Sequence, residues 1–277
     1  MIRIIADSCV DLSPELIDRF NIDIVPLGVF IDGKLYQDGV NIHTQELFDE
    51  VKKSGILPKT SAPSVATYIE HFSVEEDVIY ISISSKLSAS YQNAHIARET
   101  MGKNNVFIVD SLNLSTGIGL LVLAAAEMAQ AGMKTEEIVS HITALTKNVH
   151  TSFVVDTLDY IHKGGRCSAT ELLIGSLLNI RPVITVCPDG TLDVKKKIAG
   201  SRKKALLSMV EDLKKDITQI NPHRIFVTHT LCENDAEFLR TEIEKLAKFD
   251  EICFTVAGST IASHCGPKCI GILYLTK

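Results

Sequence analysis

The chain has 277 residues, 45% of them hydrophobic and 22% charged, a balance that excludes intrinsic disorder. Its 16 Gly and 8 Pro are too few for a fibrous or low-complexity protein. A formal net charge of −6 argues against a general nucleic-acid binder, which needs a basic footprint.

Arg3–Ala6 predicts a buried strand, and Ser13-Pro14 an N-cap followed by proline at the first helical position. Ile24–Phe30 is a second apolar run. Leu47, Phe48 and Val51 have helical spacing within Thr44–Lys53. Val78–Ile83 predicts a strand, Ser88 to about Met101 a helix, and Val106–Val109 another short buried strand. Leu114–Ala131 predicts a long apolar helix stopped by Gly132. Thr135–Thr146 predicts one more, with Glu136 and Glu137 in its first turn, where the helix dipole favours acids. Short buried strands separated by helices predict a parallel sheet covered on both faces, a three-layer α/β unit.

The second half changes character. Ser152–Val155 predicts a strand and Ala169–Leu178 a helix. Arg181–Cys187 and Leu192–Ile198, joined by Pro188-Asp189-Gly190, predict a β-hairpin. A long helix over Ser201–Ile217, a strand over Arg224–Thr228, a helix over Ala236–Lys248 and strands over Cys253–Ala257 and Cys269–Leu275 complete the chain. A hairpin among helices predicts an α+β unit with a mixed or antiparallel sheet. The change falls near residues 150–165, and the division is drawn as 1–155 and 156–277. Charge changes with it: 11 Lys and Arg face 19 Asp and Glu in the first unit, 17 face 15 in the second.

The seven cysteines form no CxxC pair, and several lie in apolar strands. They read as reduced core residues of a cytoplasmic protein. Cys265 and Cys269 lack the further ligands that zinc requires, so no metal or other cofactor is expected. Met1–Ile5 is too short for a signal h-region, and Ile118–Ala126 is far shorter than the ~20 apolar residues of a membrane span, so no stable membrane insertion is expected.

Hydroxyl clusters stand where strands end: Thr60-Ser61-Ala62-Pro63-Ser64, and Ser82 to Ser90. Such groups cap helices, or hold an anion at the carboxyl edge of a parallel sheet. Asp7-Ser8 and Asp110-Ser111 each close a short apolar strand and read as structural turns. Gly164-Gly165-Arg166 reads as a tight turn exposing the guanidinium, since neither GxGxxG nor a Walker loop is present. Lys195–Lys197 and Arg202-Lys203-Lys204 form a solvated helix face or a docking surface for an acidic partner. His264, in a Gly- and Pro-bounded segment, is structural, or a base, or bonded to a carboxylate.

In order along the chain, these pieces resemble one family. Asp7-Ser8-Cys9-Val10-Asp11-Leu12 resembles the Asp-Ser-x-x-Asp-Leu of the DegV family, and Thr60-Ser61-Ala62-Pro63-Ser64 its Thr-Ser-Gln-Pro-Ser. Ser84-Ser85-Lys86-Leu87-Ser88-Ala89-Ser90-Tyr91-Gln92 resembles Ser-Ser-x-Leu-Ser-Gly-Thr-Tyr-Gln. Val109-Asp110-Ser111, Leu158 to Arg166, Leu177 to Pro182 and His264-Cys265-Gly266-Pro267 fit as well. Ala62, Ala89 and Ser90 depart from the usual Gln, Gly and Thr, as do Lys268-Cys269 after Gly-Pro and His229-Thr230 in place of His-Gly.

The resemblance implies two domains with a ligand tunnel between them that holds one long-chain fatty acid. It implies a carrier, not an enzyme by itself. The chain would present the carboxylate to a fatty acid kinase partner and carry the fatty acid or the acyl phosphate, as part of phospholipid metabolism. Carried over residue by residue, it implies carboxylate contacts at Thr60, Ser88, the N–H of Ala89 and His264, and a kinase contact at Arg202. Burying about 14 methylenes at ~0.8 kcal/mol each is worth roughly 11 kcal/mol, so an enclosed apolar tunnel is required. The rival reading is an acyl hydrolase with Ser88 as nucleophile and His264 as base, although no GxSxG elbow is present.

Overall fold

The computed structural model describes residues 2–169 and 180–277. Strands β1 (Ile2–Asp7), β2 (Asp23–Val25), β6 (Asp77–Ser82) and β7 (Val106–Asp110) form a parallel sheet of order β2-β1-β6-β7. On one face, Tyr68 and Phe72 of α3 (Val65–Phe72) and Ala94 and Ala97 of α4 (Ser90–Met101) pack against Ile5, Val78 and Tyr80. Ile4, Ile79 and Ile81 point to the other face, as strand alternation requires, and meet α5 (Thr116–Gln130). The expected three-layer parallel unit is present.

Ser13 begins α1 (Pro14–Phe20) as its sequence implies: the hydroxyl accepts from the Leu16 N–H, and Pro14 fills the first helical position. The Ile24–Phe30 run does not form one strand. Pro26 has no N–H to give to a ladder, and the chain leaves the parallel sheet there. It resumes as β3 (Gly28–Ile31), the centre of a small antiparallel sheet of order β4-β3-β5, with β4 at Lys34–Gln37 and β5 at Lys59–Ser61. Helix α2 (Thr44–Ser54) follows β4. Helix α6 (Thr135–Leu145) adds Ile138 and Ile142 to the α5 layer.

The second sheet has the order β10-β9-β8-β13-β11-β12: β8 Val149–Val154, β9 Ile180–Val186, β10 Leu192–Ala199, β11 Ile220–His229, β12 Glu251–Val256 and β13 Ile270–Thr276. It is mixed, because β11 and β12 run parallel while the other pairs are antiparallel. The expected hairpin is β9–β10. Strand β8 belongs to this sheet, so the change of sheet comes before Val149, ahead of the 155/156 division. Helices α8 (Arg202–Asp216) and α9 (Glu233–Glu244) cover one face through Leu206, Met209, Leu213, Leu239 and Ile243. The other face sends Phe226, Leu273 and Leu275 into the cluster around α5. Helix α5 thus lies between two sheets, and this explains why it is apolar all round where a surface helix would show one stripe.

Two short helices, α7 (Asp159–Gly164) and α10 (Ser259–Cys265), pack together at the boundary. The helix expected over Ala169–Leu178 lies, beyond Ala169, outside the described residues. Among the described residues, no helix is long and apolar enough to cross a membrane.

Candidate ligand-binding site

Alternation places the first hydroxyl. In β5, Lys59 and Ser61 face solvent while Thr60 turns inward, toward Val29 of β3 and the α10 side. Its Oγ1 lies 2.7 Å from His264 Nε2, across 204 residues of sequence.

The second hydroxyl is set by the loop after β6, braced by both Asp-Ser strand ends. The buried Asp7 carboxylate accepts from the hydroxyls of Tyr80 and Tyr68 and from the Ile83 N–H at 2.9 Å. Burial raises its pKa to about 6 against those three hydrogen bonds. Asp110 Oδ1 accepts from the N–H groups of Ser85 and Leu112. The Ser84 carbonyl takes the N–H groups of Leu87 and Ser88, which completes a turn into α4. Ser88 Oγ accepts from the Ser90 N–H at 3.2 Å and lies 3.0 Å from Ser90 Oγ. The Ala89 N–H donates to no acceptor among the described residues. A hydroxyl and a free amide at the start of a 12-residue helix suit an anionic head group.

His264 sits in the last turn of α10, whose start is held by the other half of the chain. Asp11 accepts from the Gly258 N–H at 2.8 Å, Asp38 from the Ser259 N–H at 2.7 Å, and the Thr44 hydroxyl donates to the Ala257 carbonyl. Burial, with the Arg166 charge adding to it, lowers the His264 pKa to about 4, so the imidazole is neutral at pH 7. Its Nδ1 is buried without a hydrogen-bond partner among the described residues. Gly164 makes that packing possible, since a Cβ there would stand 2.5 Å from Nδ1.

Thr60, Ser88, Ala89 and His264 line one cavity of about 170 Å³, together with Leu27, Ile83, Leu87, Leu114 and Ile261. A second cavity continues into the second unit between Phe153, Ile161, Cys265, Cys269 and Leu273. The two share Leu114, Arg166, Leu192, Ile261 and His264, so the polar cavity and the apolar one adjoin where the two halves meet.

The sequence reading missed Arg166 as a lining residue. Gly165, at φ +65°, ends α7 and turns the chain, as the Gly pair implies. The guanidinium then reaches back to both cavities, donating to the carbonyls of Gly164 at 2.7 Å and Leu87 at 3.3 Å. A cation next to a Gly-Gly turn was the available signal, but which way it points depends on the α7–α10 packing. Arg202 is not in this cluster. It starts α8, has a side chain only 16% exposed, and ion-pairs with Asp235 at 2.5 Å and Asp156 at 3.4 Å. It also donates to the Lys268 carbonyl at 2.5 Å, fastening the turn between His264 and β13.

The residues named for hydrolysis do not form a relay. Ser88 bonds Ser90, His264 faces Thr60, and His264 Nδ1 has no acid partner among the described residues. Among the described residues, no cluster of three or more His, Cys, Asp or Glu could hold a metal.

The fold has counterparts among known proteins. The family model described as "Uncharacterised protein, DegV family" matches residues 1–277. A DegV domain-containing protein of Caldanaerobacter subterraneus is 34% identical over 283 residues, spanning 100% of this chain and 99% of its own. A fatty-acid-binding DegV family protein of Thermus thermophilus superposes with a TM-score of 0.92 at 28% identity, covering 100% and 99% of the two chains. DegV of Bacillus subtilis, a fatty acid binding protein, superposes with a TM-score of 0.88 at 27% identity, again over 100% and 99%. With the family model matching the whole chain and a curated member 34% identical from end to end, the chain belongs to the DegV family.

Proposed function

We propose that this protein binds one long-chain fatty acid between its two units, with the carboxylate at Thr60, Ser88 and the Ala89 N–H. The observation that carries this reading is the pair of adjoining cavities, the polar one at the Thr60–His264 pair and the α4 start, the apolar one beyond it in the second unit. The fatty-acid binding described for the Thermus and Bacillus proteins supports it. Neutral donors suit a cargo that must later be released, because they hold a carboxylate without a buried ion pair. In this reading the His264 proton is on Nε2 and is donated to Thr60 Oγ1, which leaves the Thr60 hydroxyl proton for the ligand. Arg166 supplies one positive charge at the rim.

The carrier works in the cytoplasm and presents the carboxylate to a fatty acid kinase subunit, which supplies the nucleotide and the chemistry. It then carries the acyl phosphate away. The Arg202 region is the kinase contact, with Arg202 holding the Lys268 turn in the shape the partner meets.

The test is mass spectrometry of an organic extract of the protein purified from bacterial culture. Near-stoichiometric long-chain fatty acid is expected. Protein that repeatedly yields none, and that fails to bind added long-chain acids after delipidation, sinks the reading. With a purified kinase, the Arg202→Ala variant is expected to keep fatty-acid binding while forming less acyl phosphate.

A further inference from the structure

The basic stretch Lys195–Lys197 falls on strand β10, outside both fatty-acid cavities. Val194 pairs with Ile184 and Lys196 with Val183, so Lys195 is the extra residue of a β-bulge. In an unbroken strand Lys195 and Lys196 would point to opposite faces. The bulge turns both toward α8, where their ammoniums reach the two carboxylate oxygens of Asp212 at 3.2 and 2.5 Å. Lys215 adds a third ammonium at 3.2 Å. Burial alone would raise the Asp212 pKa, but the lysines hold it below the ordinary aspartate value, so the carboxylate stays ionised.

Beside this cluster, between α8 and the second sheet, is a cavity of about 290 Å³. Strand alternation separates it from the acyl cavity: Phe153, Gly271 and Leu273 line the acyl side, Ser152, Ile272 and Tyr274 this one. Among the described residues only Thr151 lines both. The charged groups at its wall are Lys147, Lys195 and Asp212. His150, stacked on Tyr274 with ring centroids 5.1 Å apart, is neutral at pH 7, because burial, with the Lys195 charge adding to it, lowers its pKa against the pull of Asp216. The Tyr274 hydroxyl is committed to Asp216 Oδ2 at 2.7 Å. The Lys147 ammonium and the Ser152 hydroxyl have no hydrogen-bond partner among the described residues.

A structural ion pair needs one lysine for Asp212, not three, and it gives no role to Lys147 or Ser152. The excess of ammonium around the cavity, with unpaired donors at its wall, fits an anion. An apolar chain does not suit that lining. A compact group with several oxygens does, because each separate donor then meets its own acceptor, and lysine serves such a group as a mobile point charge. We propose that the cavity between α8 and the second sheet is a phosphate-binding site, in which Lys147, Lys195 and the Ser152 hydroxyl hold the phosphate of a soluble anion or of a phospholipid head group. The site lies across the sheet from the acyl cavity and does not rest on the fatty-acid reading.

The test is calorimetric titration of the full-length protein with inorganic phosphate at constant ionic strength, with acetate as the comparison, beside co-sedimentation with phosphatidylglycerol vesicles. Saturable binding of phosphate, unmatched by acetate, is expected if the ligand is soluble. Vesicle binding without binding of free phosphate is expected if it is a lipid head group. In either case Lys147→Ala and Lys195→Ala should each weaken binding about tenfold, the loss of one charge-assisted hydrogen bond. Both variants should fold, since Lys147 is exposed and Asp212 keeps Lys196 and Lys215. Lys195→Arg should retain binding. Wild-type protein that binds neither phosphate nor vesicles overturns the site. So does phosphate binding that acetate equals, or binding of either probe that both alanine variants leave unchanged.

Discussion

At Thr60, the direction of one hydroxyl proton decides what the site can hold. His264 is neutral because it is buried beside Arg166, so its Nε2–H can donate a hydrogen bond to Thr60 Oγ1 without adding charge. Ser88 is arranged alike, with Ser90 behind it as the support. Each hydroxyl is then one neutral donor to a charged acceptor, worth about 1.5–3 kcal/mol. Thr60→Ala and Ser88→Ala are each expected to weaken fatty-acid binding by roughly ten- to a hundredfold. Thr60→Ala should melt close to wild type, because its hydroxyl makes no bond within β5, while Ser88→Ala also removes the acceptor of the Ser90 N–H at the start of α4 and should lose about 1 kcal/mol. Titration with a fluorescent fatty acid measures this, and unchanged affinity in both variants removes these residues from the head-group site. Thr60 and Ser88 were legible in the sequence through the ordered motifs. Arg166 was not, since nothing local states that a turn residue points inward.

Among the elements, the contact of α7 with α10 governs the site. Gly164 ends α7 against the His264 ring, and the two helices approach closely only because that position has no Cβ. Gly164→Ala would force a contact of 2.5 Å onto Nδ1, with Thr60 on the far side of the ring. Overpacking of this kind costs about 1–3 kcal/mol, here divided between stability and displacement of His264. We expect a lower melting temperature and weaker fatty-acid binding together. His264→Ala combined with Gly164→Ala should recover the stability but not the binding. A single variant indistinguishable from wild type in both measurements would mean that α7 moves freely over α10. The small β4-β3-β5 sheet was the element least visible in the sequence. Its strands have three or four residues, too short for alternation to show, and only Pro26 hints that the apolar run is broken.

On the scale of the whole molecule, the two halves are joined by buried carboxylates. Asp11 reaches the Gly258 N–H and the Ser115 hydroxyl, and Asp38 reaches the Ser259 N–H and the Ser8 hydroxyl. A Cβ on Gly258 would lie 3.1 Å from Asp38 Oδ1 and 3.3 Å from Asp11 Oδ1, so both acids converge on one point. Burial raises the Asp11 pKa to about 8, with the Asp38 charge adding to the rise, and burial raises that of Asp38 too. The unfolded chain has an ordinary aspartate pKa near 3.9. The folded state therefore keeps a proton that the unfolded state releases. This contribution is complete below about pH 4 and is lost as pH rises through 8. Between pH 7.5 and 8, Asp7 is ionised in both states and His264 is neutral in both, because their folded values lie near 6 and 4 and an unfolded histidine titrates near 6.5. Thermal unfolding across that window should show stability falling with pH, by at most about 1.4 kcal/mol per unit. Asp11→Asn keeps an acceptor for Gly258 and should flatten the slope. A slope equal to wild type in that variant would place the proton elsewhere.

The sequence by itself determined the class of each half, the caps and stops of the longer helices, the β9–β10 hairpin, and the membership of Thr60, Ser88 and His264 in one motif set. Those features are local: they follow from periodicity, from proline and glycine geometry, and from hydroxyl chemistry read a few residues at a time. The tertiary structure alone decided which faces meet. It placed α5 between two sheets, brought Thr60 within hydrogen-bond reach of His264 across 204 residues, and turned Arg166 toward the cavity. It also gave Asp7 and Asp110 to the loop that carries Ser88, and Asp11 and Asp38 to the start of the helix that carries His264. The physical reason is burial. A carboxylate or an imidazole reads the same in any sequence until packing removes its water, and only then are its partners and its charge decided.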